Sequence, residues 1–421
     1  MRKMRDSGIE WVGAIPQNWQ LSKIGSLYTQ RNEKVSDKDY QPLSVTMQGI
    51  LPQLATAAKT DDGDNRKLVR VGDFAINSRS DRRGSCGISP LDGSVSLINI
   101  ILTPRTAMHP GYYNWLFHTT LFADEFYKWG HGIVADLWTT RWQEMKSITV
   151  PVPEYAEQER IAAFLDAECA EIDAVLEKTR ASIEEYKKLK QAVITQAVTK
   201  GIRGDRQMKD SGIEWIGDIP AEWDVLNLVA HTSMLTPMRD RPENLDGPIP
   251  WVRIEDFEGK YIESSKAGLG VSMKTVKEMN LKVYPVGTIL CTSSCIMGKC
   301  AIVSRELVSN QRFIGIIPDR TTDKTYLYYL MTSNAERMNF LSTGALQANL
   351  SRSAFEHLKV QFPPYSEQRE IAAYLDDKCE KIDELILKKQ QYLTEIENYK
   401  KSLIYEYVTG KKEVKTSVLA D

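Results

Sequence analysis

The chain of 421 residues carries 54 lysine and arginine side chains against 56 aspartate and glutamate side chains, for a formal net charge of −2. This balance excludes nucleic-acid binding through a globally positive surface, so such binding needs local basic patches or partner chains. No apolar run approaches the ~18–20 residues of a membrane-spanning helix, and six cysteines do not make a disulfide framework at this length, so we expect an unprocessed cytoplasmic protein with no membrane association.

The first predicted element is an ordered loop, and it is present twice. Residues 6–19 read DSGIEWVGAIPQNW and residues 210–223 read DSGIEWIGDIPAEW, with ten of fourteen positions identical. Residues 157–176 and 367–386 form a second repeated pair, EQERIAAFLDAECAEIDAVL and EQREIAAYLDDKCEKIDELI, with ten of twenty positions identical. The long stretches between these segments match poorly. Two copies of a constant frame around two variable inserts predict two domains that perform one task at two places.

A β-rich stretch follows the loop in each half. The residues with strand composition are 68–78 and 97–102 in the first half, and 251–254, 283–292 and 313–317 in the second. Helical patterns at 111–128 and 325–341 come next, and short strands at 149–153 and 359–364 close the two domains. An internal alignment places Gly72 opposite Gly287 and Gly84 opposite Gly298, which indicates that the halves share one fold. This order of elements predicts α+β domains with twisted sheets.

Each domain is followed by a long helix, over about 157–200 and 367–409, with no internal Pro or Gly. Core positions recur at alternating spacings of three and four over five heptads, which is typical of a coiled coil; most of them are apolar, and Lys190 and Lys400 are among the exceptions. The core positions of this spacer include Leu165, Ile172, Leu176 and Ile183 in the first helix, and Leu375, Ile382, Ile386 and Leu393 in the second. The alternative is that each helix packs only on its own domain, which would not require matched registers.

The direction of the chain predicts how these helices pair. The first helix runs from domain one to domain two, and the second returns if it is to pair with the first. We therefore expect an antiparallel coiled coil that bridges the two domains, with an internal pseudo-two-fold repeat. At ~1.5 Å per residue it forms a bar of roughly 60–65 Å. A rigid spacer between two non-identical domains fits a bipartite, asymmetric DNA site.

Four motifs, in this order, resemble the specificity (S) subunits of Type I restriction–modification systems. They are D-S-G-I-E-W-(V/I)-G-x-I-P-x-x-W, the strand and loop GDFAINSR, the loop G-x-x-Q-x-N-L-S, and the helix start P-x-Y-x-E-Q-x-x-I-A-x-(F/Y)-L-D. The resemblance covers essentially the whole chain. One loop departs from it, because Gly344, Gln347 and Asn349 fit the amide motif whereas Ala135 and Asp136 replace the amides in the first half.

The resemblance implies a non-catalytic subunit, without cofactor or metal, that recognises double-stranded DNA. Two target-recognition domains would each read half of a split site, constant segments would dock two adenine methyltransferase (M) subunits, and motor–nuclease (R) subunits would join through the complex. The implied segments are a constant N-terminal segment (1–20), target-recognition domain 1 (21–153), a central conserved helix (154–204), the constant segment repeat (205–224), target-recognition domain 2 (225–364), and a C-terminal conserved helix and tail (365–421).

The loop after the strand in each half is the candidate base-reading element. Amide and guanidinium groups suit base edges, and Arg suits guanine O6 and N7. The candidates are Asn77, Ser78, Arg79, Ser80, Arg82 and Arg83 in domain one, and Thr292, Ser293, Ser294 and Lys299 in domain two. In a second loop, the amides of Gln347 and Asn349 suit adenine. The alternatives are a solvated turn balanced by Asp73 and Asp81, and local capping of a helix that begins at Ser351.

Three patterns resemble sites of catalysis or metal binding without meeting their requirements. Residues 362–365 (FPPY) resemble an amino-methyltransferase motif, but Phe362 cannot accept the amino group that a leading Asn or Asp accepts. Residues 298–300 (GKC) lack the upstream glycine of a phosphate loop. The spacing of Cys291, Cys295 and Cys300 is not that of a zinc site. Two other function classes are a self-sufficient enzyme and a coiled-coil scaffold that binds two protein partners without DNA.

Overall fold

The computed structural model describes residues 2–53, 63–132, 138–238, 240–294, 298–341 and 350–415. The chain divides into two compact units, Met1–Arg180 with Gln391–Asp421, and Ala181–Gln390. Each unit contains most of one half of the repeat and a part of both long helices. None of the helices in the described ranges combines the length and apolar character that crossing a bilayer requires.

The first half of the chain is built from short strands, followed by short helices and one long helix. The strands are β1 (Met4–Asp6), β2 (Ala14–Pro16), β3 (Gln20–Lys23), β4 (Tyr28–Arg31), β5 (Lys34–Val35), β6 (Leu43–Thr46), β7 (Gly49–Pro52), β8 (Arg66–Val69), β9 (Phe74–Asn77), β10 (Cys86–Ile88), β11 (Gly93–Val95), β12 (Asn99–Pro104) and β13 (Thr149–Val152). The helices are α1 (Ile24–Leu27), α2 (Pro110–Phe117), α3 (Thr120–Lys128), α4 (Trp142–Met145) and α5 (Tyr155–Lys200).

The second half repeats this order. Its strands are β14 (Met208–Asp210), β15 (Asp218–Pro220), β16 (Asp224–Asn227), β17 (Thr232–Leu235), β18 (Ile249–Val252), β19 (Tyr261–Ile262), β20 (Gly270–Val271), β21 (Ile289–Thr292), β22 (Cys300–Val303), β23 (Val308–Ser309), β24 (Phe313–Pro318) and β25 (Lys359–Phe362). Its helices are α6 (Met273–Glu278), α7 (Lys324–Ser333), α8 (Ala335–Leu341), α9 (Arg352–Glu356) and α10 (Tyr365–Val408).

The main sheet of the first unit is antiparallel, with strand order β10-β9-β12-β4. Side chains alternate between the two faces of a strand, so β9 serves two cores. Phe74 packs on Phe117 of α2 with ring centroids 4.5 Å apart. Ala75 belongs instead to a cluster with Leu43 and Ile50, which lie in the hairpin of β6 and β7. Helices therefore cover one face of this sheet, and the hairpin packs on the other.

The main sheet of the second unit has strand order β17-β24-β21-β22-β19. Its strands pair antiparallel except for β19, which runs parallel to β22. Ile289 and Ile316 pack in the cluster that contains Tyr326 of α7. Phe313 packs in a separate cluster with Phe257. The two-layer arrangement of the first unit is thus repeated around different side chains.

Matched glycine conformations confirm the internal alignment. Gly72 and Gly287 have φ of 86° and 91°, and Gly84 and Gly298 both have φ of 76°. These angles lie in the left-handed region, which glycine adopts at no steric cost. Glycines that flank β9 and β21 therefore make the same turns, and the predicted internal repeat is present in the backbone.

The helical stretch predicted at 111–128 is two helices, α2 and α3. The Thr119 hydroxyl accepts a hydrogen bond from the Phe122 N–H at 3.2 Å, and so caps α3 after α2 has ended. The stretch predicted at 325–341 is likewise divided, since α7 ends at Ser333 and α8 begins at Ala335. Both breaks come from local capping, to which apolar periodicity is insensitive.

The long helices α5 and α10 have 46 and 44 residues. All eight predicted core residues of the spacer are buried or partly buried. Within each unit the two helix segments run antiparallel, because the numbers of the contacting residues increase along one helix as they decrease along the other. The contacts are Phe164 with Tyr407 and Asp173 with Lys400 in the first unit, and Tyr186 with Lys389 and Lys190 with Asp383 in the second.

Candidate nucleic-acid interface

The candidate loop of the first half follows β9 and is held by its own polar side chains. Asn77 Oδ1 accepts from the Arg79 N–H at 3.0 Å, and Ser78 Oγ donates to the Ile98 carbonyl. The Tyr127 hydroxyl donates to the Asn77 carbonyl at 3.0 Å. Asn77 and Ser78 are both 6% exposed. These two candidates therefore shape the loop, and the arginines that follow are its exposed groups.

The three loop arginines differ in how much they are engaged. Arg79 is exposed, and Arg82 is exposed with the Asp81 carboxylate 3.8 Å from its Nε. Arg83 is paired with Asp124 of α3 at 2.6 Å. Arg79 and Arg82 are therefore the guanidinium groups best placed to meet a ligand. Ser80, the remaining candidate of this loop, is half-buried.

The solvated-turn alternative holds only in part. Asp73 does not balance the loop arginines, because its carboxylate accepts from Arg31 Nε at 2.8 Å and from the Thr103 hydroxyl at 2.8 Å. Of the two aspartates that the sequence suggested, Asp81 does lie near an arginine of the loop, at the 3.8 Å separation from Arg82. Asp73, the other suggested partner, is thus bound within the sheet.

Two clefts flank the loop. Cleft A, of about 580 Å³, lies between the β6–β7 hairpin and the loop, and its lining includes Met47, Arg66, Asn77, Arg82, Arg83 and Asn99. Cleft B, of about 340 Å³, lies on the other side, and its lining includes Lys67, Ser78, Arg79, Asn99, Arg141 and Trp142. Basic side chains line both clefts. This is the local basic patch that DNA binding requires in a chain of slightly negative net charge.

Several residues of these clefts were missed by sequence reasoning. Arg66 is 4% exposed, with Nε donating to Ser94 Oγ at 2.9 Å, and burial lowers the pKa of its guanidinium. Lys67 Nζ donates to the Asn99 carbonyl at 2.7 Å, and burial lowers the pKa of this ammonium as well. The register of β12 and β9 places Asn99 directly opposite Asn77. Only the pairing of these strands, 22 residues apart along the chain, would have identified Asn99.

The equivalent loop of the second half is more buried and less basic. Thr292 is fully buried, and its Oγ1 accepts from the Lys299 N–H at 3.1 Å. Ser293 is 8% exposed and Ser294 is half-buried. Lys299 is exposed, with Nζ 5.9 Å from the centre of the Phe257 ring. Lys299 is therefore the charged group that this loop presents within the described residues.

The amide-rich loop cannot be placed in the same way. Gln347 and Asn349 lie outside the described residues, as do Ala135 and Asp136 of the first half. Ser351 is described, and its hydroxyl accepts from the Ala354 N–H at 3.2 Å as the N-cap of α9. The helix that begins after Ser351 is thus present, and Gln347 and Asn349 stay predictions.

The constant segments of both halves are held by the same three side chains. In the first half, Trp19 Nε1 donates to Glu157 at 2.9 Å and Arg2 pairs with Glu157 at 2.6 Å. In the second half, Trp223 Nε1 donates to Glu367 at 3.0 Å and Arg206 pairs with the same carboxylate. The arginine also lies over the tryptophan ring in each, with Cζ 5.2 Å and 5.6 Å from the ring centre. Each Arg–Trp–Glu cluster ties a constant loop to the start of a long helix.

The next residues of the repeated helix start have equally specific contacts. Gln158 accepts from the His109 N–H at 2.9 Å, and Gln368 accepts from the Asp323 N–H at 2.8 Å. Further along, Asp166 accepts from Trp115 Nε1 at 2.8 Å, and Asp376 accepts from the Tyr329 hydroxyl at 2.7 Å. The E-Q and L-D elements of the motif therefore fasten each domain to its long helix, and explain why these residue types recur.

The comparisons with known proteins agree with this organisation. Residues 224–398 match the family model described as the Type I restriction modification DNA specificity domain. The chain is thus similar to the specificity subunits of Type I restriction–modification systems, with the family model matching its second half. It is 35% identical over 176 residues to the MjaIX specificity subunit of Methanocaldococcus jannaschii, a match that covers 39% of this chain and 40% of the relative. It is 26% identical over 277 residues to the putative MjaX specificity subunit, covering 65% and 61%.

The matches thus span less than two thirds of these curated specificity subunits. Solved structures match nearly the whole chain. A chain from the structural study of complex assembly and conformational transition of the type I R-M system has a TM-score of 0.75 at 13% identity, covering 94% of this chain and 99% of that one. The HsdS subunit from Thermoanaerobacter tengcongensis has a TM-score of 0.51 at 16% identity, covering 94% and 98%. These likenesses confirm the predicted fold class.

The methyltransferase-like FPPY segment forms the junction between β25 and α10. Phe362 is buried at the end of β25, and Tyr365 begins α10. The Pro363 carbonyl accepts from Gln368 Nε2 at 2.9 Å, and the Pro364 carbonyl accepts from the Gln368 N–H at 3.0 Å. The prolines therefore serve the start of a helix, which is the structural reading that Phe362 suggested.

The cysteines behave as small apolar residues where they are described. Cys169 and Cys379 are equivalent core positions of the long helices, 2% and 4% exposed. Burial raises the pKa of the Cys169 thiol to about 11, so it stays protonated at neutral pH. Cys291 and Cys300 are free and face each other across β21 and β22. Cys295 lies outside the described residues.

Proposed function

We propose that this chain is the sequence-recognition subunit of a Type I restriction–modification complex, in which each half reads one half of a bipartite, asymmetric DNA site. The observation that carries the proposal is a frame held by the same Arg–Trp–Glu contacts in both halves, around loops whose side chains differ. Identical frames suit two identical partners, and different loops suit two different half-sites. The antiparallel α5 and α10 set the spacing between the half-sites.

The first half contacts DNA through the loop after β9 and the clefts beside it. Arg79 and Arg82 are exposed there, with Lys67 and Arg141 in cleft B. Cations of this kind bind phosphates in any sequence, whereas amides and guanidinium groups read base edges. The loop of the second half, with Lys299 and the half-buried Ser294, recognises a different half-site through fewer charges.

The constant segments dock two M subunits, and R subunits join the assembly through the complex. Most identical residues of the constant loops contribute to the fold of the loop itself. For example, the carboxylates of Asp6 and Asp210 accept hydrogen bonds from the N–H groups of Gly8 and Gly212. Glu10 has a side chain that is 91% exposed, so it is a group that a docked partner can reach. A partner present in two copies explains why the loop occurs twice.

The chain itself is non-catalytic and needs no cofactor of its own, and it acts in the cytoplasm on double-stranded DNA. The proposed division is the constant segments 1–20 and 205–224, the recognition domains 21–153 and 225–364, and the helical segments 154–204 and 365–421. Methyl transfer and cleavage belong to the M and R subunits. Highly purified chain with S-adenosylmethionine is expected to leave DNA unmethylated, and Tyr365→Ala is the matched control for the FPPY segment.

A domain exchange tests the recognition role. The chain is expressed with its M subunits in a host, and the modified adenines are mapped by sequencing. Replacing residues 21–150 with the matching segment of another family member should change one half of the modified sequence and leave the other half unchanged. If both halves change, the modular reading is wrong. If the purified complex binds random and modified-site duplexes equally in filter binding, the chain is a scaffold without sequence recognition.

A further inference from the structure

Cleft A has the features of a site for nucleobase edges that is specific to the first half. We propose that it binds a base that presents an exocyclic amino group in the major groove, and that Asn99 and Met47 determine which base is accepted there. This inference rests on the proposed function, since the ligand is a base of the half-site that the first domain reads. Its volume of about 580 Å³ is within the ~300–1,000 Å³ typical of small-molecule sites.

The residues that line cleft A include an asparagine whose amide oxygen has no partner among the described residues. Asn99 is 4% exposed, and its Nδ2 donates to the Ser96 carbonyl at 3.0 Å, which orients the side chain. No donor within the described residues bonds its buried Oδ1. A buried acceptor left unpaired destabilises a fold, so its presence requires an explanation. An incoming amino group supplies the missing donor.

The other half of the chain indicates that the fold does not require this amide. Asn77 and Asn99 face each other at the ends of β9 and β12. At the same place in the second half, Thr292 faces Phe313. Phe313 is 1% exposed and stacks on Phe257 with ring centroids 5.1 Å apart. One fold therefore accommodates either a polar cleft or an aromatic stack at these strand ends, as expected for a position that varies with the bound sequence.

The rim of cleft A is formed by the β6–β7 hairpin. Met47, at the turn, is 71% exposed and lines the cleft. The turn is ordered by its own bonds: the Thr46 hydroxyl donates to the Gly49 carbonyl at 2.9 Å and accepts from the Gln48 N–H at 3.1 Å. A two-stranded β-ribbon fits the major groove of B-DNA. An exposed methionine on such a ribbon offers an apolar contact at the base edges.

These groups identify the class of base. In the major groove, adenine and cytosine present amino donors at N6 and N4, whereas the groove edges of guanine and thymine present acceptors. The free acceptor of Asn99 therefore selects adenine or cytosine. Arg82, at the rim of the same cleft, suits a neighbouring guanine.

The test uses the full chain in complex with its M subunits, and duplexes in which each position of either half-site is varied singly. Two variants are compared with the native complex, Met47→Ala and Asn99→Ala. Met273→Ala is the control, because Met273 is an exposed methionine of the second unit, 54% exposed. Both cleft variants should lose roughly 5- to 100-fold of the discrimination at one position of one half-site. The other half-site and the control should behave as the native complex does.

The buried Asn99→Ala variant can fail to fold. Met47→Ala keeps the test decisive in that case, because Met47 is an exposed turn residue that does not support the fold. An unchanged profile at both half-sites with Met47→Ala overturns the inference, as does a uniform loss of affinity for all duplexes. Either result leaves the proposed function standing if the native complex discriminates its site. A native complex without sequence preference would overturn the proposed function instead.

Discussion

Lys190 Nζ donates to both carboxylate oxygens of Asp383, at 2.7 and 2.6 Å, from a core position of the heptad pattern. The equivalent residues of the other copy form the reciprocal pair, since Lys400 Nζ donates to Asp173 at 2.6 and 2.7 Å. A charged residue at a core position contributes less to stability than an apolar one, but it specifies how two helices align. Each unit therefore contains its own register mark for the antiparallel pair.

The two pairs should have the same small coupling energy. Lys190 and Asp383 have side chains 30% and 56% exposed, and Lys400 and Asp173 have side chains 23% and 58% exposed. Partly exposed ion pairs of this kind typically contribute ~0.2–1 kcal/mol and weaken with salt. Double-mutant cycles with Lys→Met and Asp→Ala, followed by urea unfolding, would measure both. Coupling in one pair and none in the other would contradict the equivalence.

Glu367 should be far more important for stability than the exposed pair beside it. Its side chain is 3% exposed and binds both Trp223 and Arg206. The hydrogen bond to Glu367 is the main reason why the pKa of the Arg206 guanidinium is raised. Glu367→Ala leaves the buried indole N–H of Trp223 unpaired and the Arg206 guanidinium with only the exposed Glu222, so the free energy of unfolding should fall by about 1.5–3 kcal/mol. Glu370→Ala is the control: it removes only the exposed pair with Arg203 and should cost less than ~1 kcal/mol. Equal losses would mean that the buried cluster does not anchor the frame.

The sequence allowed the frame to be predicted, because Trp223 and Glu367 lie in segments that recur and the heptads of α5 and α10 recur with them. The contents of the recognition loops were predicted less well. Candidates were chosen by residue type, and Thr292 proved fully buried while Asp73 proved bound to Arg31. Strand pairing between distant residues decides which side chains share a cleft, and single-chain periodicity does not record it.

His118 should make the first unit sensitive to mild acid. It is half-buried with Nδ1 2.6 Å from the Asn114 carbonyl, and burial lowers its pKa, with backbone hydrogen bonds opposing the shift. The unfolded chain, with an ordinary pKa of ~6.5, therefore takes up the proton before the folded chain does. The contribution of neutral His118 to the free energy of unfolding is therefore present above about pH 6.5 and is lost as the pH falls below that value. Thermal unfolding between pH 7.5 and 5 should show a smaller decrease in Tm for His118→Gln than for the native chain, and His357→Gln, at an exposed site, should match the native chain.

The loop arginines should separate into two classes. Arg79→Ala and Arg82→Ala remove exposed guanidinium groups, so each should weaken specific binding. A base-reading Arg costs ~1–3 kcal/mol and relaxes one position, whereas a phosphate-binding Arg weakens all sequences equally and lowers the salt slope by about one. Arg83→Ala should instead remove the ion pair between the loop and Asp124 of α3, and so lower the free energy of unfolding rather than the specific binding of DNA. Titrations at several salt concentrations would separate the classes, and unchanged site affinity in the first two variants would leave the solvated turn as the better reading.

The spacer makes a geometric prediction. If α5 and α10 set the separation of the half-sites, their length should set the number of unread base pairs between them. Seven residues inserted after Ile183 and after Leu393 keep every core position in register. The insertion adds ~10 Å to the helices, which corresponds to about three base pairs at ~3.4 Å each.

The same insertion also changes the angular relation of the half-sites. A helical turn of DNA has 10–10.5 base pairs, so three extra pairs rotate one half-site by roughly 100° about the duplex axis. Two outcomes agree with helices that measure the site: a gap longer by about two to three pairs, or loss of recognition with the fold intact by circular dichroism. Mapping modified adenines distinguishes them. An unchanged gap at full affinity would mean that another part of the complex sets the spacing, because a lengthened α5 and α10 pair cannot hold both half-sites at the original separation.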